Sequence, residues 1–207
     1  MEKLDLSKKH KAYYTAKTNP EIVTIEKAQF LSITGKGDPE EKAFAERVEA
    51  LYATAYTIKF QLKAQGQDFV VAKLEGLWWF DEQKRAGLSM VESATQVPRS
   101  EWEYRLLIRM PEFVDKKAVE ESIKSVIERK GILLANELEL FEMEEGKSVQ
   151  MLHVGPFSEE PKTLALMLQF MEKNRLGKNG LHHEIYLSDF RKTAPAKLKT
   201  ILREPVV

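Results

Sequence analysis

Two short β-like runs, Ile22–Ile25 and Gln29–Thr34, give way after Gly35 to a different period. Phe44, Val48, Leu51, Ala55, Ile58 and Leu62 recur three and four residues apart, which predicts one buried face of a long helix. Asp38, Pro39 and Glu41 supply its start, as a cap, a first-turn proline and a reciprocal acid, and Gly66 its end. The segment "FVVAKLEGLWWF" (69–80) reads as a strand interrupted at Gly76, and the polar stretch from about 81 to 100 as a long loop. "WEYRLLIRM" (102–110) alternates, with Trp102, Tyr104, Leu106, Ile108 and Met110 on one face. Asp115 then caps a helix carrying Val119, Ile123 and Ile127, which Gly131 closes.

The second half repeats this order. "LELFEMEEGKSVQMLHVG" (138–155) predicts a hairpin turning near Glu144, Glu145 and Gly146. Gly155 and the candidate cap Ser158 precede the apolar helix "TLALMLQFM" (163–171), and Gly177 and Gly180 end it before the strand "LHHEIYLSDF" (181–190). Gly35, Asp38 and Glu40 match Gly155, Ser158 and Glu160, which favours a duplication. The expected fold class is α+β: one domain over residues 1–207 with halves of about 20–110 and 135–207. In it, helices over 39–65 and 159–176 cover one face of a single antiparallel sheet.

Composition narrows the function classes. With 43% hydrophobic and 31% charged residues in 207, the chain suits one substantial core. Lys+Arg and Asp+Glu balance at 32 each, so no overall field recruits nucleic acid or an anionic membrane, and basic clusters such as Lys8 to Lys11 lack interleaved aromatics. The absence of cysteine excludes disulfides, thiolate metal sites and a cysteine nucleophile. No run approaches a membrane span or a secretory h-region, which makes the cytoplasm the expected compartment. There is no G-x-S-x-G elbow, and "GKGDPE" suits a turn into a helix better than a phosphate loop. The histidines lack the spacing of a ligand set, so neither a metal nor another cofactor is expected.

"HVGPF" (153–157) before a helix, "HEIYLSDF" (183–190) after it, and "KLEGLWWF" (73–80) together resemble the GyrI-like small-molecule-binding domain, from about Ile25 to the end. That domain is also the ligand-sensing half of multidrug-responsive transcription regulators. The resemblance implies duplicated β-α-β (SHS2-like) modules related by a pseudo-two-fold, with a ligand groove between two long helices. The segment before residue 20 has no helix-turn-helix pattern, so the chain looks like a stand-alone version.

Strand parity puts His182, Glu184, Tyr186 and Ser188 on one face and Leu181, Ile185 and Leu187 on the other. Glu184 is either a solvated strand carboxylate or a costly one lining a pocket. The resemblance implies the second, with the glutamate of this strand at the pocket floor. Trp78 and Trp79 point oppositely in a regular strand, so only one faces the groove unless the chain bends after Gly76. Glu75 is either a second, pseudo-symmetric carboxylate or an exposed strand acid, and the latter is favoured. Tyr52 and Tyr56, four apart on the first long helix, and Met167, Phe170 and Met171 on the second are either groove walls or packing. Trp102, Tyr104 and His182 complete the candidate lining.

These residues point to a bulky, aromatic, hydrophobic small molecule as the partner. Some stand-alone GyrI-like proteins with a Trp-Trp pair hydrolyse cyclopropane-bearing DNA-alkylating compounds of the yatakemycin and duocarmycin kind. The resemblance thus implies Glu184 as the water-activating residue and Tyr56 or Tyr186 as the hydroxyl donor. A sensor or sequestering protein without chemistry is the rival reading. A gyrase-binding role comes last, because the chain carries no acidic strip.

Overall fold

The computed structural model describes residues 3–85 and 87–207. Among the described residues eight strands form one antiparallel sheet: β1 (Glu21–Ile25), β2 (Ala28–Lys36), β3 (Leu74–Trp79), β4 (Glu103–Arg109), β5 (Glu139–Met143), β6 (Gly146–Val154), β7 (His182–Tyr186) and β8 (Lys199–Pro205). Their order is β1-β6-β8-β7-β3-β4-β2-β5. The main helices are α1 (Leu6–Lys9), α2 (Lys42–Ala64), α3 (Met90–Gln96), α4 (Lys116–Lys130) and α5 (Glu160–Lys173). Strand, long helix, strand, strand occurs first as β2, α2, β3, β4 and again as β6, α5, β7, β8.

The hairpin expected over 138–155 does not form. β5 pairs with β2, whereas β6 pairs with β1 and β8, so the two neighbours in sequence lie toward opposite ends of the ladder. Only Glu144 and Glu145 join them, and only Glu26 and Lys27 join β1 to β2. A two-residue link spans roughly 10 Å, whereas eight flat strands would extend more than about 30 Å. The sheet must therefore curl until its ends approach each other.

Three more expectations are corrected. α2 begins at Lys42, because Asp38 folds a tight turn, accepting from the Glu40 amide at 2.9 Å, before the helix starts. α5 begins at Glu160 after a short 3₁₀ turn over Phe157–Glu159, and Ser158 does not cap it. The stretch 81–100 contains α3, started by a capping box between Ser89 and Glu92. α4 follows its expectation: Asp115 accepts from the Ala118 amide at 2.8 Å, and Gly131 adopts the left-handed conformation at φ 69°.

Helices α2 and α4 cover one core cluster that includes Leu31, Ile33, Leu106 and Ile108, and α5 covers another built on Val149, Met151 and Leu202. The other sheet face holds a third cluster, where Leu6, Tyr13 and Tyr14 of the N-terminal arm pack on Leu77, Leu107, Ile185 and Ile201. A buried polar network accompanies it. Tyr13 donates to Glu75 at 2.5 Å, His183 lies 3.0 Å from both Glu75 and Glu145, and Arg203 donates to Glu145 at 3.0 Å and to Gln150. Paired opposite charges offset the cost of burying this much polarity. Among the described residues no helix is long and apolar enough to cross a membrane.

Candidate functional site

A row of directly paired residues crosses the sheet beneath the helices: Ile33, Leu106, Gly76, Glu184, Leu202 and Met151. Paired residues of an antiparallel ladder share a face. Ile33 and Leu106 lie in the core under α2, and Leu202 and Met151 in the core under α5. Gly76 and Glu184 occupy the strip between them. Glu184 is thus a carboxylate on the helix-covered face, with its side chain only 14% exposed.

Its partners are polar and equally enclosed. His182 Nε2 lies 3.3 Å from Glu184 Oε1, and His182 Nδ1 lies 2.5 Å from Glu204 Oε1. Burial alone would lower the His182 pKa, but the two carboxylates outweigh it and raise it to about 10, so the ring is a cation at neutral pH. Glu160, in the first turn of α5, is also buried; burial and then the charge of Glu184 push its carboxyl well above the usual range. It is the acid of the cluster suited to carrying a proton. Glu160 Oε1 and Glu204 Oε2 are buried without a hydrogen-bond partner among the described residues, an arrangement that a donor from a ligand would relieve. No group of three or more His, Asp or Glu among the described residues is arranged to hold a metal ion.

Aromatic rings wall this cluster. Trp78 Nε1 donates to the Tyr186 hydroxyl at 3.0 Å, and the Glu184 carboxylate acts on the same phenol. Burial, followed by the Glu184 charge, raises the Tyr186 pKa well above its usual value, which keeps the phenol protonated. Gly76 makes the pairing possible, since a Cβ there would fall 2.9 Å from Trp78 Nε1 and 3.1 Å from the Tyr186 oxygen. Trp78 backs onto Phe44 and Tyr104, with ring centroids 6.2 and 5.4 Å away. At the other end Phe157 and Phe190, each 37% exposed, meet Tyr186 edge-on. His153 anchors the start of α5, with Nδ1 2.8 Å from Thr163 Oγ1 and Nε2 3.1 Å from the Pro156 carbonyl.

A model of the GyrI-like small molecule binding domain matches residues 18–206. The chain belongs to the GyrI-like family. A crystal structure of an uncharacterised conserved protein from Listeria innocua is 39% identical, with 99% of this chain and 100% of that chain covered and a TM-score of 0.88. A second, named a hydrolase from Listeria innocua, is also 39% identical over 99% and 100% of the two chains, with a TM-score of 0.85. The EcmrR C-terminal domain, 9% identical over 91% and 97% with a TM-score of 0.59, shares the fold. No curated protein matches the chain.

In this GyrI-like chain the predicted residues divide. Glu184, Tyr186, His182 and Trp78 come together on the strip, and Tyr104 stands directly behind Trp78. Tyr52 and Tyr56 stack along the flank of α2 at 6.4 Å, Tyr52 under the Arg191 guanidinium and Tyr56 45% exposed. Trp79 does not belong with them: alternation turns it to the opposite face, where its Nε1 donates to Glu103 at 3.1 Å. Met167 and Met171 are corrected to core, buried between α5 and the sheet, and Phe170 packs, partly buried, against the same cluster. Trp102 sits at the edge of the α2 core, donating to the Val97 carbonyl at 3.3 Å.

Glu75 is corrected too. It is completely buried, not exposed, and lies on the face opposite Glu184, because the register pairs Glu184 with Gly76. Glu160, Glu204, Phe157 and Phe190 were not anticipated. Glu160 reads as helix-start chemistry in "SEEP", and Glu204 lies in the terminal stretch "LKTILREPVV", beyond the strands predicted from the sequence. A surface hollow of about 450 Å³ by Lys8, Lys11, Tyr14 and Lys73 lies by the N-terminal arm, but its lysines are exposed and it holds none of these acids.

Proposed function

We propose that the protein binds a bulky aromatic small molecule between α2 and α5 and hydrolyses a cyclopropane conjugated to a dienone, with Glu184 activating water. The observation that carries this reading is Glu184 itself, an enclosed carboxylate between two apolar cores and beside a carboxyl that favours the protonated form. The relative named a hydrolase, 39% identical over the full chain, supports the reaction class. Water oxygen bonds to the strained ring carbon while a ring C–C bond breaks, and its electron pair moves through the dienone to give a phenolate. Glu184 takes the proton from the attacking water, and the phenolate is then protonated.

Tyr186, whose hydroxyl already accepts from Trp78 Nε1, stands beside Glu184, which leaves Tyr56 on the rim as a donor toward the developing phenolate. Trp78, Tyr52, Phe157 and Phe190 hold the flat body of the ligand. A second reading, binding without chemistry, draws on the orphaned carboxyl oxygens among aromatic rings, which suit a lipophilic cation. Incubation with a spirocyclopropane dienone, followed by mass spectrometry, separates the two. A product heavier by one water supports hydrolysis; unchanged compound bound to the protein supports the second reading.

A further inference from the structure

We infer that His182, clamped by Glu204, is the positioning residue for Glu184, so that Glu204, His182 and Glu184 act as a carboxylate–imidazole–carboxylate relay in which only the last member touches the reacting water. One leg is a hydrogen bond and the other an ion-pair contact. Glu204 Oε1 meets Nδ1 at 2.5 Å, and Nε2 meets Glu184 Oε1 at 3.3 Å. Each member comes from the sheet, which is stiffer than a loop: His182 and Glu184 are two apart on β7 and so share a face, and Glu204 stands on the paired strand β8.

Glu204 is otherwise hard to explain. A carboxylate 1% exposed under α5, with one oxygen unpartnered, is a costly way to fill space unless its charge is used. Its use here is to hold the ring with both nitrogens protonated, so that the imidazolium charge beside Glu184 favours one placement of that carboxylate. The remaining groups around the ring are consistent with this. Glu160 approaches from α5 and favours its neutral form, Tyr186 is a neutral phenol, and Trp78, paired with His182 across β3, carries no charge. The cation is therefore shared between Glu204 and Glu184.

The inference rests on Glu184 being the water-activating residue, and its test has an arm that needs no turnover. Histidine ring ¹⁵N spectra of the full-length protein without ligand, recorded against pH, should show His182 with both nitrogens protonated through neutrality and titrating near 10. Glu204→Gln and, separately, Glu184→Gln should each move that midpoint down by about one unit or more. A wild-type midpoint near the ordinary histidine value, or one that neither substitution moves, overturns the relay.

In the second arm, ring opening is followed against pH. Glu204→Gln should lower kcat by at least about tenfold with little change in KM and shift the alkaline limb toward neutrality, and His182→Gln, which keeps a donor, should retain more activity than His182→Ala. Turnover that these substitutions leave unchanged also overturns the relay. Absence of turnover in the wild type overturns the hydrolase reading and with it the relay's part in catalysis, and the ¹⁵N titration then decides only whether Glu204 and Glu184 clamp the ring.

Discussion

Gly76→Ala tests whether the floor between α2 and α5 is built on a missing side chain. The new methyl would sit 2.9 Å from Trp78 Nε1 and 3.1 Å from the Tyr186 oxygen, the two atoms that now share a 3.0 Å hydrogen bond. Either the indole and the phenol separate, or β3 shifts against β7. Overpacking of this kind costs about 1–3 kcal/mol, and the lost bond adds about 1 kcal/mol. Restricting the unfolded chain returns about 0.4–1 kcal/mol. The net expectation is a loss of roughly 1–3 kcal/mol, which for a chain of this size lowers Tm by roughly 3–10 °C. Gly177→Ala is the control, because its Cβ would meet only Val207 at an ordinary 3.6 Å, and it should stay within about 0.5 kcal/mol. Differential scanning calorimetry gives Tm, and the Trp78 indole N–H resonance reports the bond. A Gly76→Ala protein that melts at or above the wild type with that resonance unmoved would refute the reasoning.

Other expectations follow from the same geometry. Trp78→Ala should weaken binding of a flat aromatic ligand by about tenfold or more, whereas Trp79→Ala, altering the opposite face, should leave ligand affinity within about twofold; isothermal titration of both variants checks this. Met167→Ala should cost about 2–5 kcal/mol in urea unfolding, as a core truncation does, and a ligand-specific loss without destabilisation would contradict its placement. Against burial, His183 and Arg203 hold the Glu145 carboxyl down at about 2, below an unfolded value of 4.5, so its stabilisation is present above pH 4.5 and lost as pH falls toward 2. His182 runs the other way: its contribution is complete below 6.5 and disappears as pH rises toward 10. Each is worth on the order of several kcal/mol, so urea midpoints should fall at both extremes, and Glu145→Gln should flatten only the acid side.

Parity was the informative signal in the sequence. It separated His182, Glu184 and Tyr186 from Ile185 and Leu187 and required Trp78 and Trp79 to part, and both hold in the sheet. Helical spacing found the buried stripe of α2 from Phe44 to Leu62, because burial of that stripe is local to one element. Pairing was not legible. Two strong strand patterns two residues apart look like a hairpin, yet β5 and β6 separate to partners far along the chain, and only the strand order of the whole sheet dictates that. The same gap hid the carboxyl cluster: Glu160, Glu184 and Glu204 come from three elements that the sequence does not order in space. Glu75 failed for a related reason. An acid in a strand reads as solvated, and nothing local reveals that Tyr13 and His183 will be waiting on its face.

The most direct measurement compares wild type and Glu184→Gln with a spirocyclopropane dienone in ¹⁸O-labelled water, following bound ligand by Trp fluorescence and product by mass spectrometry. The account predicts that both proteins bind the compound, that the wild type adds one labelled oxygen at the opened ring carbon, and that Glu184→Gln turns over about 10²–10⁴-fold more slowly. Equal turnover by both proteins, or binding by both with no labelled product, would contradict Glu184 as the group that activates water.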